Sequence, residues 1–183
     1  MRKPAVLAMV AAVLAVGTAA WAQEPPKMPA PQKEHKWLKQ FVGEWNTEAE
    51  VLMEPGKPPV KMKGTESAKL VGGFWLISEL KGECFGVPMT SIITVGYDAQ
   101  KKKYVGTFIC SASDWLCKYK GTVKGQVLTL ETEGPSPNNP GKTCKMRDVM
   151  EIKGPDLRQL TSYIQNDDGQ WTTFMTMTAR RKK

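Results

Sequence analysis

Beyond Gly43, apolar and polar residues alternate singly along runs of strand length, and clusters of Gly, Pro, Asn and Asp separate the runs. Successive strand residues point to opposite faces, so this alternation is the mark of a sheet with one face buried. The pattern predicts ten strands, near residues 44–53, 60–70, 74–84, 87–97, 103–111, 114–122, 126–133, 143–153, 157–165 and 170–180. No sustained helical repeat interrupts them. The stretch Leu70 to Asp98 organises the rest. Gly72-Gly73 opens it, Gly82, Gly86 and Pro88 punctuate it, and Gly96-Tyr97-Asp98 closes it. Its two apolar runs, Phe74–Leu80 and Met89–Val95, lie too close for a helical crossover and predict an antiparallel hairpin. The fold class is therefore all-β: one antiparallel up-and-down β-barrel of about ten strands, in a single domain.

Ahead of the strands the pattern changes. Within EHKWLKQFV (34–42), Trp37, Leu38 and Phe41 fall on one helical face, which predicts a short N-terminal helix. The only histidine, His35, belongs to this segment and is expected on the helix surface. A barrel without an interior histidine can neither ligate a haem through imidazole nor use a histidine base. Residues 23–33 carry four prolines and no periodicity, and read as a linker. Residues 1–22 combine a cationic start (Arg2, Lys3), an apolar run from Pro4 to Gly17 and the small-x-small site Ala20-Trp21-Ala22. This is the pattern of a signal peptide, with Gln23 as the expected mature N-terminus and an exported, periplasmic or extracellular protein as the product. The run is short for a membrane span, so no stable membrane insertion is expected after cleavage.

Loop length indicates which end of the barrel is open. One set of alternate connections is short: 71–73, 98–102, 123–125 and 154–155. The other is longer and rich in Pro and Gly: 54–59, 134–142 and 166–169. Long loops frame a mouth. Strand parity then assigns faces. Lys61, Lys63 and Lys69 share one face of the second strand, which turns Met62, Glu66 and Leu70 inward. On the eighth strand, outward Lys145, Arg147, Glu151 and Lys153 leave Cys144, Met146, Asp148, Met150 and Ile152 inside. Tyr104, Phe108 and Cys110 alternate together, as do Cys117 and Tyr119. Parity leaves the third strand open between Phe74, Leu76 and Leu80 and the set Trp75, Ile77 and Glu79. The candidate ligand-binding residues are therefore Met62, Glu66, Tyr104, Phe108, Tyr119, Met146, Asp148 and Met150. Glu66 and Asp148, with the tyrosines, would form a polar spot in an apolar cavity, since interior carboxylates need partners or water. Paired acids also serve glycosidases, but no spacing in the sequence brings these two together, and no catalytic residue is assigned.

Charge and sulfur narrow the reading. The formal net charge is +8, carried mostly by lysines placed singly along strands. No arginine-and-aromatic platform accompanies them, so nucleic acid is not an expected partner; the expected partner is a small apolar molecule. In an oxidising compartment the four cysteines are expected to pair. Cys110 and Cys117 flank the turn 111–114 symmetrically and form the first predicted disulfide. Cys84 and Cys144 form the second, which needs a flattened barrel or an infolded loop. Met146, Met150, Met175 and Met177 are soft ligands that copper(I) accepts, yet Met is also an ordinary filler of irregular cavities. No metal or cofactor is assigned.

Gly43-Glu44-Trp45 resembles the G-x-W that begins the first strand of lipocalin-like, or calycin, barrels. The resemblance implies that Trp45 meets Arg180 from the last strand, a guanidinium over an indole worth on the order of 1 kcal/mol, where the barrel closes. A longer string is more specific: PGKPP at 55–59, Gly64 with Glu66, Gly72-Gly73, Glu79, Gly82, Gly86, Pro88, Gly96-Tyr97-Asp98 and Lys102-Lys103-Tyr104. Together these resemble an exported bacterial family, grouped with the calycins, whose domain has no known function. The resemblance covers residues 34–181 and implies the barrel fold without naming functional residues. Phe74 stands where such relatives carry Arg, and Cys110 where they carry Asp.

Overall fold

The computed structural model describes residues 28–53, 56–84, 86–137, 139 and 141–183. The expected signal peptide (1–22) and the first part of the linker lie outside them. From Pro31 onward the chain forms one compact unit. Its ten strands are β1 (Gly43–Val51), β2 (Val60–Val71), β3 (Trp75–Cys84), β4 (Val87–Asp98), β5 (Lys103–Cys110), β6 (Ser113–Lys124), β7 (Val127–Pro135), β8 (Thr143–Gly154), β9 (Leu157–Gln165) and β10 (Trp171–Arg181). Each pairs antiparallel with the next, and β10 pairs with β1, so the sheet closes into an up-and-down barrel. Closure leaves no sheet edge exposed.

The turns follow from local chemistry. Gly72 and Gly73 take φ of +59° and +77° in the β2–β3 turn, a region that favours glycine. On β4, Gly96 sits opposite Trp75, whose indole covers it so closely that a Cβ would come within 2.4 Å of the ring. That packing settles the third strand. Trp75 is outside, whereas Leu76, Ser78 and Leu80 point into the barrel.

Helix α1 (Lys33–Trp37) runs into one 3-10 turn (Leu38–Phe41), and together they cap the end bearing the short connections. Leu38 and Phe41 are fully buried there with Tyr104, Leu76 and Val95. Trp37 Nε1 donates to the Gly125 carbonyl of the β6–β7 turn, and Tyr104 Oη donates to the Glu34 carbonyl. His35 corrects the sequence expectation: it is buried rather than on the surface. Its Nδ1 accepts from the Gln32 amide, its Nε2 meets the Tyr97 carbonyl at 3.1 Å, and its ring packs edge-on against Phe74 and Tyr97. His35 therefore docks on the barrel end together with Leu38 and Phe41.

The closing tryptophan behaves as the motif implies, with a different partner. The cation over Trp45 on the last strand is Arg181, at 4.1 Å, and not Arg180. Trp45 pairs directly with Arg181 across β1 and β10, while Arg180 points to solvent. Arg181 also donates to the carbonyls of Val42 (2.7 Å) and Pro155 (3.0 Å) and pairs with Asp156 at 3.1 Å. The other side of Trp45 is occupied by Arg158 of β9, at 4.5 Å.

Candidate functional site

Capping one end with α1 leaves the barrel interior accessible from the other. The interior holds a cavity of about 610 Å³, within the range typical of small-molecule sites. It runs from Phe41 and Arg158 at the capped floor to Met53, Cys84 and Ala112 at the opposite mouth. The mouth is framed by the loops after β1, β7 and β9, with tight turns after β3 and β5. Seven of the ten methionines line the wall (Met53, Met62, Met89, Met146, Met150, Met175 and Met177), as do Cys84, Cys110 and Cys117. Methionine is unbranched and polarisable, so such a wall adapts to irregular or aromatic shapes.

Two polar networks interrupt this lining. At the floor, Glu66 (4% exposed) and Arg158 (7%) form an ion pair, with Arg158 Nη2 2.6 Å from Glu66 Oε1. Ser78 on β3 donates its hydroxyl to the same oxygen. Arg158 is sandwiched between Trp45 and Phe41, the latter at 5.1 Å. The sequence reading found Glu66 and missed Arg158. The alternation of Arg158 with Leu160 and Ser162, all inward on β9, is the signal that would have found it. Higher up, Asp148 on β8 accepts from Ser162 Oγ at 2.5 Å and from Tyr119 Oη. Asp148 retains some accessible surface because it faces the cavity, but the protein encloses that cavity. Burial accordingly raises its pKa above the usual carboxylate value, and the two hydroxyls draw it partway back. Tyr119 is pushed far up by burial and then by the Asp148 charge.

Met62, Glu66, Phe108, Tyr119, Met146, Asp148 and Met150 all line the cavity. Tyr104 does not. It lies under α1, its ring against Tyr97 and Trp37, and burial raises its pKa to about 12. Glu66 and Asp148 do not share one polar spot. Their partners Arg158 and Ser162 are four residues apart on β9, on the order of 13 Å along an extended strand. Each carboxylate is held by its own partners, which is not the arrangement of a glycosidase acid pair.

All four cysteines are unbridged in this structure, so neither predicted disulfide is formed in it. The β5–β6 turn is tighter than the sequence suggests: Cys110 pairs with Ser113, and a bulge places Cys117 opposite Phe108. Cys110 and Cys117 are therefore not cross-strand partners. Cys84 on β3 and Cys144 on β8 stand five strands apart in either direction around the ten-stranded ring. Burial raises the thiol pKa of Cys117 and of Cys144, which leaves them weak nucleophiles.

A family profile described as "Protein of unknown function (DUF1579)" matches residues 30–181. The chain belongs to the DUF1579 family. No curated protein matches it. Among solved structures, this DUF1579 chain is similar to Rv2717c from M. tuberculosis, with a TM-score of 0.58 at 11% identity, covering 84% of this chain and 100% of that one. That likeness shows the barrel fold alone. The family member is also similar to two redesigned β-barrels. One, b11L5F_LGL, has a TM-score of 0.44 at 12% identity, covering 82% and 96% of the two chains. The other, mFAP1 bound to DFHBI, has 0.43 at 14%, covering 82% and 100%.

Proposed function

We propose that this DUF1579 protein binds a small, mainly apolar or amphipathic molecule inside its barrel, without catalysis, after export from the cytoplasm. The observation that carries the reading is the methionine-walled cavity of about 610 Å³, capped at one end and accessible at the other. Burying ligand carbon there is favourable by roughly 25 cal/mol for each Å² removed from water, and the flexible thioethers adjust to its outline. Entry is between the loops after β1, β7 and β9; Met53 exposes apolar surface after β1, as do Val87 and Trp115 with Leu116 beside the turns after β3 and β5. An alternative role, a packed barrel acting only through its outer face, is disfavoured by the cavity. The alphabet of residues 1–22 supports work in the periplasm or outside the cell.

Titration with the neutral fluorophore N-phenyl-naphthylamine tests the reading. Expected is saturable enhancement at one dye per chain, lost in Ala49→Trp, which projects an indole from β1 into the cavity while the far-ultraviolet spectrum stays that of the parent. Enhancement unaffected by that substitution would place the dye elsewhere and sink the proposal.

A further inference from the structure

The floor of the cavity carries hydrogen-bonding capacity that the protein itself does not use. Glu66 Oε2, Arg158 Nε and Arg158 Nη2 are buried and have no hydrogen-bond partner among the described residues. Nη2 is nonetheless engaged in the ion pair, 2.6 Å from Glu66 Oε1, so Oε2 and Nε are the capacity left unused. Buried polar groups are nearly always satisfied, and those that are not require an explanation. Both side chains line the cavity. Both are fixed, Glu66 by Ser78 and Arg158 by the rings of Trp45 and Phe41. The result is one unused acceptor and one unused donor within the same ion pair, at the capped end of an apolar chamber.

The charges at this floor cancel. A ligand carboxylate brought to it would gain from Arg158 and be repelled by Glu66; an ammonium would meet the reverse. Either would also surrender its hydration in a low-dielectric pocket, the costliest desolvation available. A neutral group that both donates and accepts suffers neither penalty. A hydroxyl can donate to Glu66 Oε2 and accept from Arg158, and a primary carboxamide does the same with two atoms. Ser78 cannot substitute for it, because its hydroxyl is already committed to Oε1.

We propose that the Glu66–Arg158 pair selects an uncharged donor–acceptor head, a hydroxyl or primary amide on an apolar body, and that this head enters first and lies at the capped end. The inference rests on the ligand-binding reading above and adds the chemical class and orientation of the ligand. Arg158 thereby becomes a specificity residue equal in standing to Glu66.

The test is displacement of N-phenyl-naphthylamine from the full chain at neutral pH by four ligands with one tail: decanol, decanamide, decanoate and decylamine. Expected is displacement by decanol and decanamide at concentrations at least tenfold below those needed for the two ions. Glu66→Gln leaves an uncompensated guanidinium, so decanoate should then overtake decanol; Arg158→Met leaves an uncompensated carboxylate and should favour decylamine. Either variant, checked by circular dichroism for the barrel spectrum, suffices if the other does not fold. A merely structural pair would weaken all four ligands together and would not invert their order. Equal displacement by all four in the parent chain would overturn the head-group inference while leaving cavity binding intact. Decanoate as the best ligand of the parent would overturn it too. Failure of the dye itself to bind would instead remove the ligand-binding reading on which the inference stands.

Discussion

Arg180 and Arg181 are adjacent, chemically identical and opposite in consequence. Parity on the last strand sends Arg180 to water and Arg181 to the indole of Trp45, with two carbonyls and Asp156 completing its contacts. Arg181→Ala is expected to cost about 2 kcal/mol in urea unfolding, the stacking and the charged hydrogen bonds together, and Arg180→Ala less than about 0.5 kcal/mol. Equal effects would refute this closure. Asp148 gives a second prediction, with a sign. Its native pKa is raised above 3.8 by burial, so the native state keeps a proton that the unfolded chain releases. The stabilising contribution is full below the unfolded value and is lost as pH rises through the native one. Asp148→Asn cannot ionise, can still accept from Tyr119 and accommodate Ser162, and should flatten that limb. At neutral pH it should be more stable than the parent. Parallel stability profiles against pH would contradict this. At this scale parity placed Met62, Glu66, Phe108, Tyr119, Met146, Asp148 and Met150 on the cavity wall. It failed for Tyr104 because facing inward near a barrel end means facing the cap, and the cap's position is not written in strand alternation.

Strands and turns were legible where the chain punctuates itself. Gly72-Gly73, Gly125 and Pro155 mark connections that the barrel uses. The short β5–β6 turn was not legible. Ser111 to Asp114 has the composition of a four-residue loop, but the strands continue to Cys110 and from Ser113, and a bulge absorbs two extra residues on β6. Register depends on that bulge, so the symmetric spacing of Cys110 and Cys117 misled. The observed register predicts that peptide mapping of the denatured, unreduced protein finds no Cys110–Cys117 bridge. A bridge between those two cysteines would show a different register at this turn. The cap was half legible as well. The face bearing Trp37, Leu38 and Phe41 announces packing, yet nothing local reveals that His35 on another face also docks, on Tyr97 and Phe74, because those contacts join residues far apart in sequence.

For the whole molecule, a ring of ten strands is wide enough that its inward side chains need not fill it. Methionines on β2, β4, β8 and β10 line the space left over. The closed ring and the end that opens could be inferred from strand count and loop length. The size of the cavity could not, since it depends on how far side chains from opposite walls reach, nor could the joining of Glu66 to Arg158 across it. The central claim is that this space holds a molecule. Native mass spectrometry of the protein purified from the envelope of its own host tests it most directly. The account predicts a chain beginning at Gln23 that carries one reproducible extra mass, lost on denaturation, belonging to an uncharged organic molecule. A bare chain under gentle conditions, with no added mass recovered after incubation in extracts of the same envelope, would contradict it.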